Sequence, residues 1–271
     1  MSDDAWGITA GLPAHEAQRL ASLVTGRSRA QLAIDGGVSP EEAAELGDLV
    51  RRRERGEPLQ YLEGTVEFGP VTLNVDPRAL IPRPETEQLF EAVATRFREP
   101  PPRVIVDLGT GCGSLALALR SEFAAAEVFG TDIDVSALQL AAENSAKTGL
   151  DVDWRHGDLF AALPSRLRGY VDLLVSNPPY IAENAAATLP VEITGYEPAV
   201  ALFAGDDGLA VLRRIARGVS EWLSGSGVVV CEIGADHGAA VLELFADRHP
   251  EIGVDLSGRD RWVVGRGARA V

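Results

Sequence analysis

The chain has 271 residues, of which 46% are apolar and 24% charged, and its formal net charge is −15. This composition is typical of a globular protein, and the length allows one large domain with a smaller one attached. No apolar stretch reaches the roughly 18 residues of a membrane-spanning helix, and residues 1–10 lack the basic region and apolar core of a signal peptide. We therefore expect a cytoplasmic protein that does not bind a membrane, and we expect it to be a monomer. We also expect no binding to DNA, because duplex binding relies on Lys and Arg and the net charge is negative.

Cysteine and histidine usage predicts no metal site. Cys112 and Cys231 lie far apart and lack metal-ligand spacing, and the four histidines are scattered along the chain. A distant pair of this kind is more typical of two reduced, buried thiols than of a disulfide.

A small helical domain is predicted at residues 1–57. Residues 14–56 have the pattern of short helices, with Leu20, Leu23 and Val24 on one face. Ser39 is expected as the N-cap of a helix that runs towards Arg55. The basic run at 51–53 is interpreted as the solvent-exposed last turn of this helix, where positive charge favours the dipole, and not as a nucleic-acid site.

A β-hairpin is predicted to link this domain to the rest of the chain. Its strands are expected at 59–68 and 71–75, separated by Gly69-Pro70, within a linker of residues 58–78. Residues 79–271 then form the predicted catalytic domain, whose first helix is expected from Pro84 to Arg98.

From residue 103 onwards, predicted strands and helices alternate. The strands are expected at 103–108, 126–131, 151–156, 171–176, 227–233, 252–256 and 261–265. The helices are expected at 113–122, 134–147, 207–223 and 236–248. This order favours an α/β fold with a mainly parallel sheet covered on both faces, in which one of the last two strands runs antiparallel.

A glycine-rich loop follows the first of these strands. It consists of Gly109, Thr110, Gly111, Cys112 and Gly113 and opens a helix, so that its backbone can approach a ligand closely. A dinucleotide-binding loop would have a further glycine at position 114, where this chain has a serine. The loop instead resembles the cofactor loop of class I S-adenosylmethionine-dependent methyltransferases.

Acidic residues end the next two strands. Asp132 is placed to accept both ribose hydroxyls of a nucleoside, and Asp158 with Leu159 is placed to flank its adenine. Asp134 is the better candidate for the N-cap of the following helix. Asp107, before the glycines, is expected either to orient the loop or to contact the cofactor.

The fourth strand ends in Asn177-Pro178-Pro179-Tyr180, at the edge of the sheet where ligands of open α/β sheets bind. The Asn177 side chain and the Pro178 carbonyl offer two acceptors on a stiff backbone, which suits a flat NH2 group. This group is either the exocyclic amine of adenine or cytosine or the carboxamide of Gln or Asn. The alternative is a proline-rich turn without a chemical role.

Three further segments make the resemblance specific. They are LIPRPETE at 80–87, YEPAVAL at 196–202 and DLSGRDR at 255–261. Together with the glycine-rich loop and SNPPYI, they resemble the HemK/PrmC-type protein-(glutamine-N5) methyltransferases that modify class 1 peptide chain release factors. DNA amino-methyltransferases share the NPPY tetrapeptide but not the segment at 80–87.

This resemblance implies roles for particular residues. S-adenosylmethionine would contact Gly109, Thr110, Gly111, Cys112, Gly113, Asp132, Asp158, Leu159 and Asn177. The substrate glutamine would be held by Asn177, Pro178, Pro179 and Tyr180, with Asn177, Pro178 and Tyr180 as the catalytic set. Many relatives have an aromatic residue at position 159. The helical domain resembles the module that docks the release factor, and it is expected to be about one helix shorter than in relatives.

The implied reaction is methyl transfer to the N5 amide of the glutamine in the Gly-Gly-Gln motif of a class 1 release factor. Two alternatives remain at this stage. One is a DNA or RNA adenine N6-methyltransferase that flips its base into the same pocket. The other is a cofactor-binding scaffold that has lost catalysis.

Overall fold

The computed structural model describes residues 11–35 and 37–267. The described chain divides into two compact units. The smaller unit comprises the described residues up to Thr65 together with Pro190–Tyr196, and the larger comprises Val66–Leu189 and the described residues from Glu197 onwards. Within the described ranges, no helix is long and apolar enough to cross a membrane.

The smaller unit is helical, as predicted. Its helices are Ala14–Thr25, Arg29–Ile34, Pro40–Glu54 and Leu59–Glu63, with one further turn at Val191–Thr194. Ser39 caps the third helix as expected, because its hydroxyl accepts from the N–H of Glu42 and the Glu42 carboxylate accepts from the N–H of Ser39. The core of this unit consists of Leu20, Ala21, Leu32, Leu46, Leu49, Val50, Leu59 and Leu62.

The first helix differs from the prediction at one position. Leu20 is buried and Val24 packs against the core, but Leu23 is 44% exposed and does not share the apolar face. The expectation of a missing helix before Pro13 falls largely on residues 1–10, which lie outside the described residues.

The basic run at 51–53 lies in the last turn of the third helix, as predicted, but the expectation that all of it is solvent-exposed was wrong, because most of it is bound to acidic residues. Arg53 donates to both carboxylate oxygens of Glu16 at 2.6 and 3.0 Å. Arg52 forms a similar bidentate pair with Glu57 at 2.9 and 2.6 Å. Arg51 alone of the three side chains is exposed. Bidentate Arg–carboxylate pairs are specific in geometry, and here they join segments of the helical unit.

The hairpin is shorter than predicted. Its strands are β1, Thr65–Phe68, and β2, Val71–Asn74. The expectation of a strand at 59–63 was wrong, because these residues form a helix. Leu59 and Leu62 are three positions apart and both enter the core of the helical unit, and Gly64 ends the helix at a φ of 72°.

The larger unit contains a seven-stranded sheet. Its strands are β3, Val104–Leu108; β4, Glu127–Asp132; β5, Asp153–His156; β6, Val171–Ser176; β7, Leu223–Glu232; β8, Glu251–Val254; and β9, Asp260–Arg266. The order across the sheet is β5-β4-β3-β6-β7-β9-β8. The strands β3 to β7 pair in parallel, and β9 runs antiparallel to both of its neighbours, which confirms the prediction for the last two strands.

Helices cover both faces of this sheet. They are Pro84–Arg96, Ser114–Glu122, Val135–Thr148, Ala210–Gly218 and Gly238–Leu244. The first three pack on one face and the last two on the other, since they belong to two separate apolar cores. Alternate residues of one strand enter alternate cores: Ile105 lies in the first, and Val106 in the second. The helices expected at 207–223 and 236–248 are shorter than predicted.

The order of the central strands creates a crevice. The strand β3 is followed by its neighbour β4 on one side, and the adjacent strand β6 is followed by β7 on the other, so the connections after β3 and β6 run in opposite directions. A switch of this kind separates the loops at the carboxyl ends of the two strands and leaves room for a ligand. The Ser176 hydroxyl donates to the Leu108 carbonyl at 2.6 Å and so joins β6 to β3 at this edge.

Candidate active site

A cavity of about 270 Å³ lies at the carboxyl ends of β3, β4, β5 and β6. Of the residues singled out in the sequence, it is lined by Asp107, Gly109, Thr110, Gly111, Cys112, Asp132, Asp158, Leu159, Asn177 and Pro179. Gly113, Pro178 and Tyr180 are not among its lining residues. Residues that were not predicted also line it, among them Arg78, Thr86, Ile133, Phe203 and Arg214. Among the described residues, no cluster of His, Cys, Asp and Glu could hold a metal ion.

The glycine-rich loop follows β3 and adopts a backbone that favours glycine. Gly109, Gly111 and Gly113 have φ values of 70°, 57° and 86°. A Cβ at Gly113 would lie 2.9 Å from the Trp154 ring, so this residue also allows close packing beneath the loop. The N–H of Thr110 donates to the Thr131 carbonyl at 2.8 Å and ties the loop to β4.

Asp132, the last residue of β4, holds both the loop and the start of the next helix. One carboxylate oxygen accepts from the N–H of Gly111 and the other from the N–H of Asp134, each at 2.9 Å. Each oxygen keeps a second lone pair for a ligand. Burial raises the pKa of Asp132. Asp134 caps the next helix, as predicted, because its carboxylate accepts from the N–H of Ser136 at 2.8 Å.

Asp107 is buried at the end of β3. Its Oδ2 accepts from the Thr110 hydroxyl at 2.6 Å, which orients the loop. Its Oδ1 has no hydrogen-bond partner among the described residues. Burial raises the pKa of Asp107 to about 7. An unpaired carboxylate oxygen in a cavity wall is an acceptor for a cationic or hydrogen-bond-donating ligand group.

Asp158 and Leu159 follow β5. Leu159 has a φ of 49°, which a leucine adopts at a cost of roughly 1 kcal/mol or more. The residue that precedes this pair, Gly157, could not be replaced freely because a Cβ would lie 2.9 Å from Ala162. Asp158 pairs with Arg214 at 2.7 Å, and both line the cavity. The strained backbone therefore presents an apolar side chain, with an ion pair beside it, to the cavity.

The segment Asn177 to Tyr180 follows β6, and two of its side chains form hydrogen bonds with residues of other elements. The Asn177 Nδ2 donates to the Thr86 hydroxyl at 3.0 Å. Asn177 and Pro179 line the cavity, whereas Pro178 is buried and Tyr180 is half-buried. The Tyr180 hydroxyl donates to Glu232 Oε1 at 3.1 Å.

Thr86 and Glu232 complete this arrangement, although no role for either was predicted from the sequence. The Thr86 hydroxyl donates to Glu232 Oε2 at 2.6 Å. Burial raises the pKa of Glu232 to about 7. Thr86 belongs to the segment 80–87, and Glu232 ends the buried strand β7. A carboxylate at a buried strand end was the available signal for Glu232.

The segments at 80–87 and 196–202 meet through a buried carboxylate. Glu197 is 5% exposed and accepts from the N–H of Ile81 at 3.1 Å and from the Arg83 guanidinium. The third predicted segment, at 255–261, contains the turn before β9 and the first two residues of that strand, and Asp255 pairs with Arg261 at 3.0 Å. The first two segments thus form one wall of the cavity, to which Pro82 and Pro198 belong.

Asn144 connects the hairpin to the glycine-rich loop. Its Oδ1 accepts from the N–H of Asn74 at 2.7 Å, and its Nδ2 donates to the carbonyls of Asn74 and Cys112 at 3.1 and 3.0 Å. The side chain is fully buried. Both N–H groups of this amide and one lone pair of its oxygen therefore hold β2 beside the loop.

The lining of the cavity fits S-adenosylmethionine. Asp132 offers acceptors for ribose hydroxyls, and the unpaired Oδ1 of Asp107 offers one for an ammonium group. Leu159 and Ile133 offer apolar surface for an adenine ring. An adjacent cation would lower the raised pKa of Asp107 and stabilise its charged form.

Comparison with known proteins relates the chain to methyltransferases. The family model described as Methyltransferase small domain matches residues 86–193, and that described as PrmC N-terminal domain matches residues 9–64. The release factor glutamine methyltransferase of Deinococcus radiodurans is 39% identical over 266 residues, 96% of this chain and 94% of that protein. The protein of the same name from Mycolicibacterium smegmatis is 42% identical over 264 residues, 93% and 89% of the two chains.

Among solved structures, the chain is similar to a T. thermophilus 16S rRNA N2 G1207 methyltransferase in complex with AdoMet and guanosine. The TM-score is 0.55 at 19% identity, over 75% of this chain and 49% of that chain. This likeness concerns the fold alone. Together with the family models, it confirms the predicted class I methyltransferase fold with a helical N-terminal region.

Proposed function

The chain belongs to the release factor glutamine methyltransferases, and on this premise we propose that it methylates the N5 amide of the glutamine in the Gly-Gly-Gln motif of a class 1 release factor. S-adenosylmethionine is the methyl donor. Family membership confirms the resemblance inferred from the sequence motifs. The observation that carries the proposal for the substrate is the orientation of Asn177, whose NH2 is engaged by Thr86.

With its nitrogen engaged, Asn177 presents its oxygen as an acceptor. The carbonyl of Pro178 is the second acceptor, and the two accept the two N–H groups of a carboxamide. The amide nitrogen is a poor nucleophile because its lone pair is delocalised into the carbonyl. Acceptors that favour a pyramidal nitrogen, on which positive charge grows, stabilise the transition state more than the ground state.

When bound, S-adenosylmethionine supplies an electrophilic methyl group with a neutral thioether as leaving group. The chain's own residues orient the two reactants, and no general base is required before transfer because the proton leaves the methylated nitrogen afterwards. Asp132 and Leu159 would hold the nucleoside, and Asn177 to Tyr180 would hold the glutamine. The glycine-rich loop would lie against the cofactor.

We place DNA outside the substrate range of this protein. Its net charge of −15 opposes the approach of a duplex, whereas an exposed glycine-rich protein loop enters a cleft at little steric cost. No comparison favours the alternative of an adenine methyltransferase, and the scaffold alternative conflicts with the intact acceptor at Asn177. Cytoplasmic location and a monomeric state belong to the same proposal, and light scattering of the purified protein tests the latter.

The helical domain, residues 1–57, is proposed to dock the release factor. Residues 58–78 would form the linker, and residues 79–271 the catalytic domain. A truncation that begins at Val66 avoids exposing the buried Leu59 and Leu62 on an unsupported helix. This variant should retain cofactor binding in calorimetry but lose activity on intact release factor. Equal activity of the truncated and full-length proteins would exclude a docking role.

A labelled-methyl assay tests the reaction. The enzyme is incubated with labelled S-adenosylmethionine and with release factor, its Gly-Gly-Gln variant with Gln→Ala, or adenine-rich DNA. Peptide mass spectrometry should find one added methyl group on the glutamine of the parent factor only. Label on DNA, or equal label on the Gln→Ala variant, would overturn the proposal.

A further inference from the structure

We propose that Glu232 is a positioning residue for methyl transfer, which acts through Thr86 to present the oxygen of Asn177 to the substrate amide. This inference rests on the proposed function and adds a determinant of the acceptor site. Glu232 lies 146 residues from Thr86 in the chain, and Thr86 lies 91 residues from Asn177. Only the fold brings the three side chains together.

The Thr86 hydroxyl has a single proton. That proton is donated to Glu232 Oε2 at 2.6 Å. The hydroxyl oxygen can then only accept from Asn177, so it selects the NH2 end of the asparagine amide, which lies 3.0 Å away. The reverse orientation would set the Asn177 oxygen against a hydroxyl oxygen that has no proton to share.

Glu232 accepts both of its hydrogen bonds in this network, and above its pKa of about 7 it does so as a carboxylate. Its second oxygen accepts from Tyr180 at 3.1 Å, so that each carboxylate oxygen receives one hydroxyl proton. Glu232 is fully buried and Thr86 is 2% exposed, which excludes water as a competing partner for most of their surface. A charge-assisted bond to a carboxylate is stronger than one between neutral groups, and it directs the Thr86 proton away from Asn177.

The charged groups around Glu232 oppose one another. Burial is the main cause of the raised pKa of Glu232, and the charge of Glu85 acts in the same direction. The hydrogen bonds from Thr86 and Tyr180 and the charge of Arg261 lower the pKa, which lies at about 7 as the net result. Arg261 is itself paired with Asp255 at 3.0 Å. An apolar residue could fill this position without the cost of burying a carboxylate. The carboxylate is explained by the direction that it imposes on the hydroxyl of Thr86.

The role of Glu232 is tested on single-turnover transfer to release factor at saturating cofactor. Thr86→Val removes the hydroxyl at nearly constant volume, and Glu232→Met removes both acceptor oxygens. Each is expected to slow transfer about tenfold or more, the effect of one misdirected hydrogen bond. The dissociation constant of S-adenosylmethionine, measured by calorimetry, should change less than about threefold.

Controls separate positioning from stability. Thr86→Ser keeps the hydroxyl and should recover most of the rate lost in Thr86→Val. Thr72→Val is a matched control on the surface, because Thr72 also donates to a glutamate, Glu67, at 2.9 Å. It should transfer methyl groups at the parent rate. Near-native cofactor binding by each variant shows that it folds.

A double-mutant cycle supplies the decisive result. Because Thr86 and Glu232 act through Asn177, Thr86→Val should have no further effect on rate in an Asn177→Ala background. Glu232→Met should likewise have none in a Thr86→Val background. Additive losses, or a parent rate in Thr86→Val, would overturn the positioning role while leaving the proposed function intact. If Glu232→Met fails to bind cofactor, the cycle of Thr86 and Asn177 decides. Failure of the parent protein to methylate glutamine would instead refute the proposed function.

Discussion

Replacement of Asp132 by alanine tests the cofactor site most directly. The carboxylate would accept two ribose hydroxyls, and a hydrogen bond to a charged group contributes about 1.5 to 3 kcal/mol. Loss of two such bonds costs about 3 to 6 kcal/mol, which weakens binding by roughly a hundredfold to ten-thousandfold. Isothermal titration of S-adenosylmethionine measures this loss.

The stability of the ligand-free protein should change less than the affinity, because two effects oppose each other. Alanine leaves the N–H groups of Gly111 and Asp134 without the acceptors that lie at 2.9 Å, at about 1 to 3 kcal/mol each where they are buried. Burial raises the pKa of Asp132. At a pH above the pKa of Asp132 in the unfolded chain, the ionised carboxylate therefore lowers the free energy of unfolding. Alanine removes that cost at neutral pH.

Asp134→Ala is the matched control for this experiment. Asp134 caps a helix, so its loss should lower the free energy of unfolding by about 0.5 to 2 kcal/mol with little change in cofactor affinity. Thermal unfolding and titration of both variants give the comparison. Equal loss of affinity in Asp132→Ala and Asp134→Ala, or unchanged affinity in Asp132→Ala, would refute the assignment of Asp132 to the ribose.

Three further predictions concern the acceptor site, the packing beneath the loop and the buried acid. Asn177→Ala should bind S-adenosylmethionine but transfer methyl groups roughly 10² to 10³ times more slowly; near-parent single-turnover rates would exclude its role. Gly130→Ala would push a Cβ into the Trp154 ring and should lower the free energy of unfolding by about 1 to 3 kcal/mol. Urea denaturation measures this loss, and an unchanged midpoint would contradict the packing. Because the pKa of Glu232 rises from 4.5 to about 7 on folding, the parent loses stability between these pH values and Glu232→Met does not. The difference in unfolding free energy should therefore shift by about 3 kcal/mol in favour of the variant from pH 4 to pH 8, and a constant difference would refute the raised pKa.

Much of the fold could be predicted because its signals are local. Val and Ile runs marked the strands, the glycines marked positions of positive φ, and Asp134 and Ser39 marked helix starts. Each depends on residues within one or two turns of the chain. The placement of the glycine-rich loop and Asp132 in one cavity followed from a general property of parallel sheets, whose carboxyl ends share an edge.

Where local and long-range effects compete, the sequence was insufficient. Residues 59–63 carry a pattern compatible with a strand, but the core of the helical unit takes Leu59 and Leu62 on one side of a helix. The basic run at 51–53 was similarly ambiguous, because the acidic partner of Arg53, Glu16, is 37 residues away. Tertiary burial and pairing outweigh local propensity in both cases.

By itself, the sequence determined the order of strands and helices, the glycine-rich loop and the acceptor segment from Asn177 to Tyr180. These depend on backbone stiffness and short-range periodicity. The tertiary structure decided that Asn177 is hydrogen-bonded to Thr86 and Thr86 to Glu232, and that burial raises the pKa of Glu232 to about 7. Such contacts and pKa values depend on which strands become neighbours and on how completely they exclude water, and no local pattern of residues contains that information.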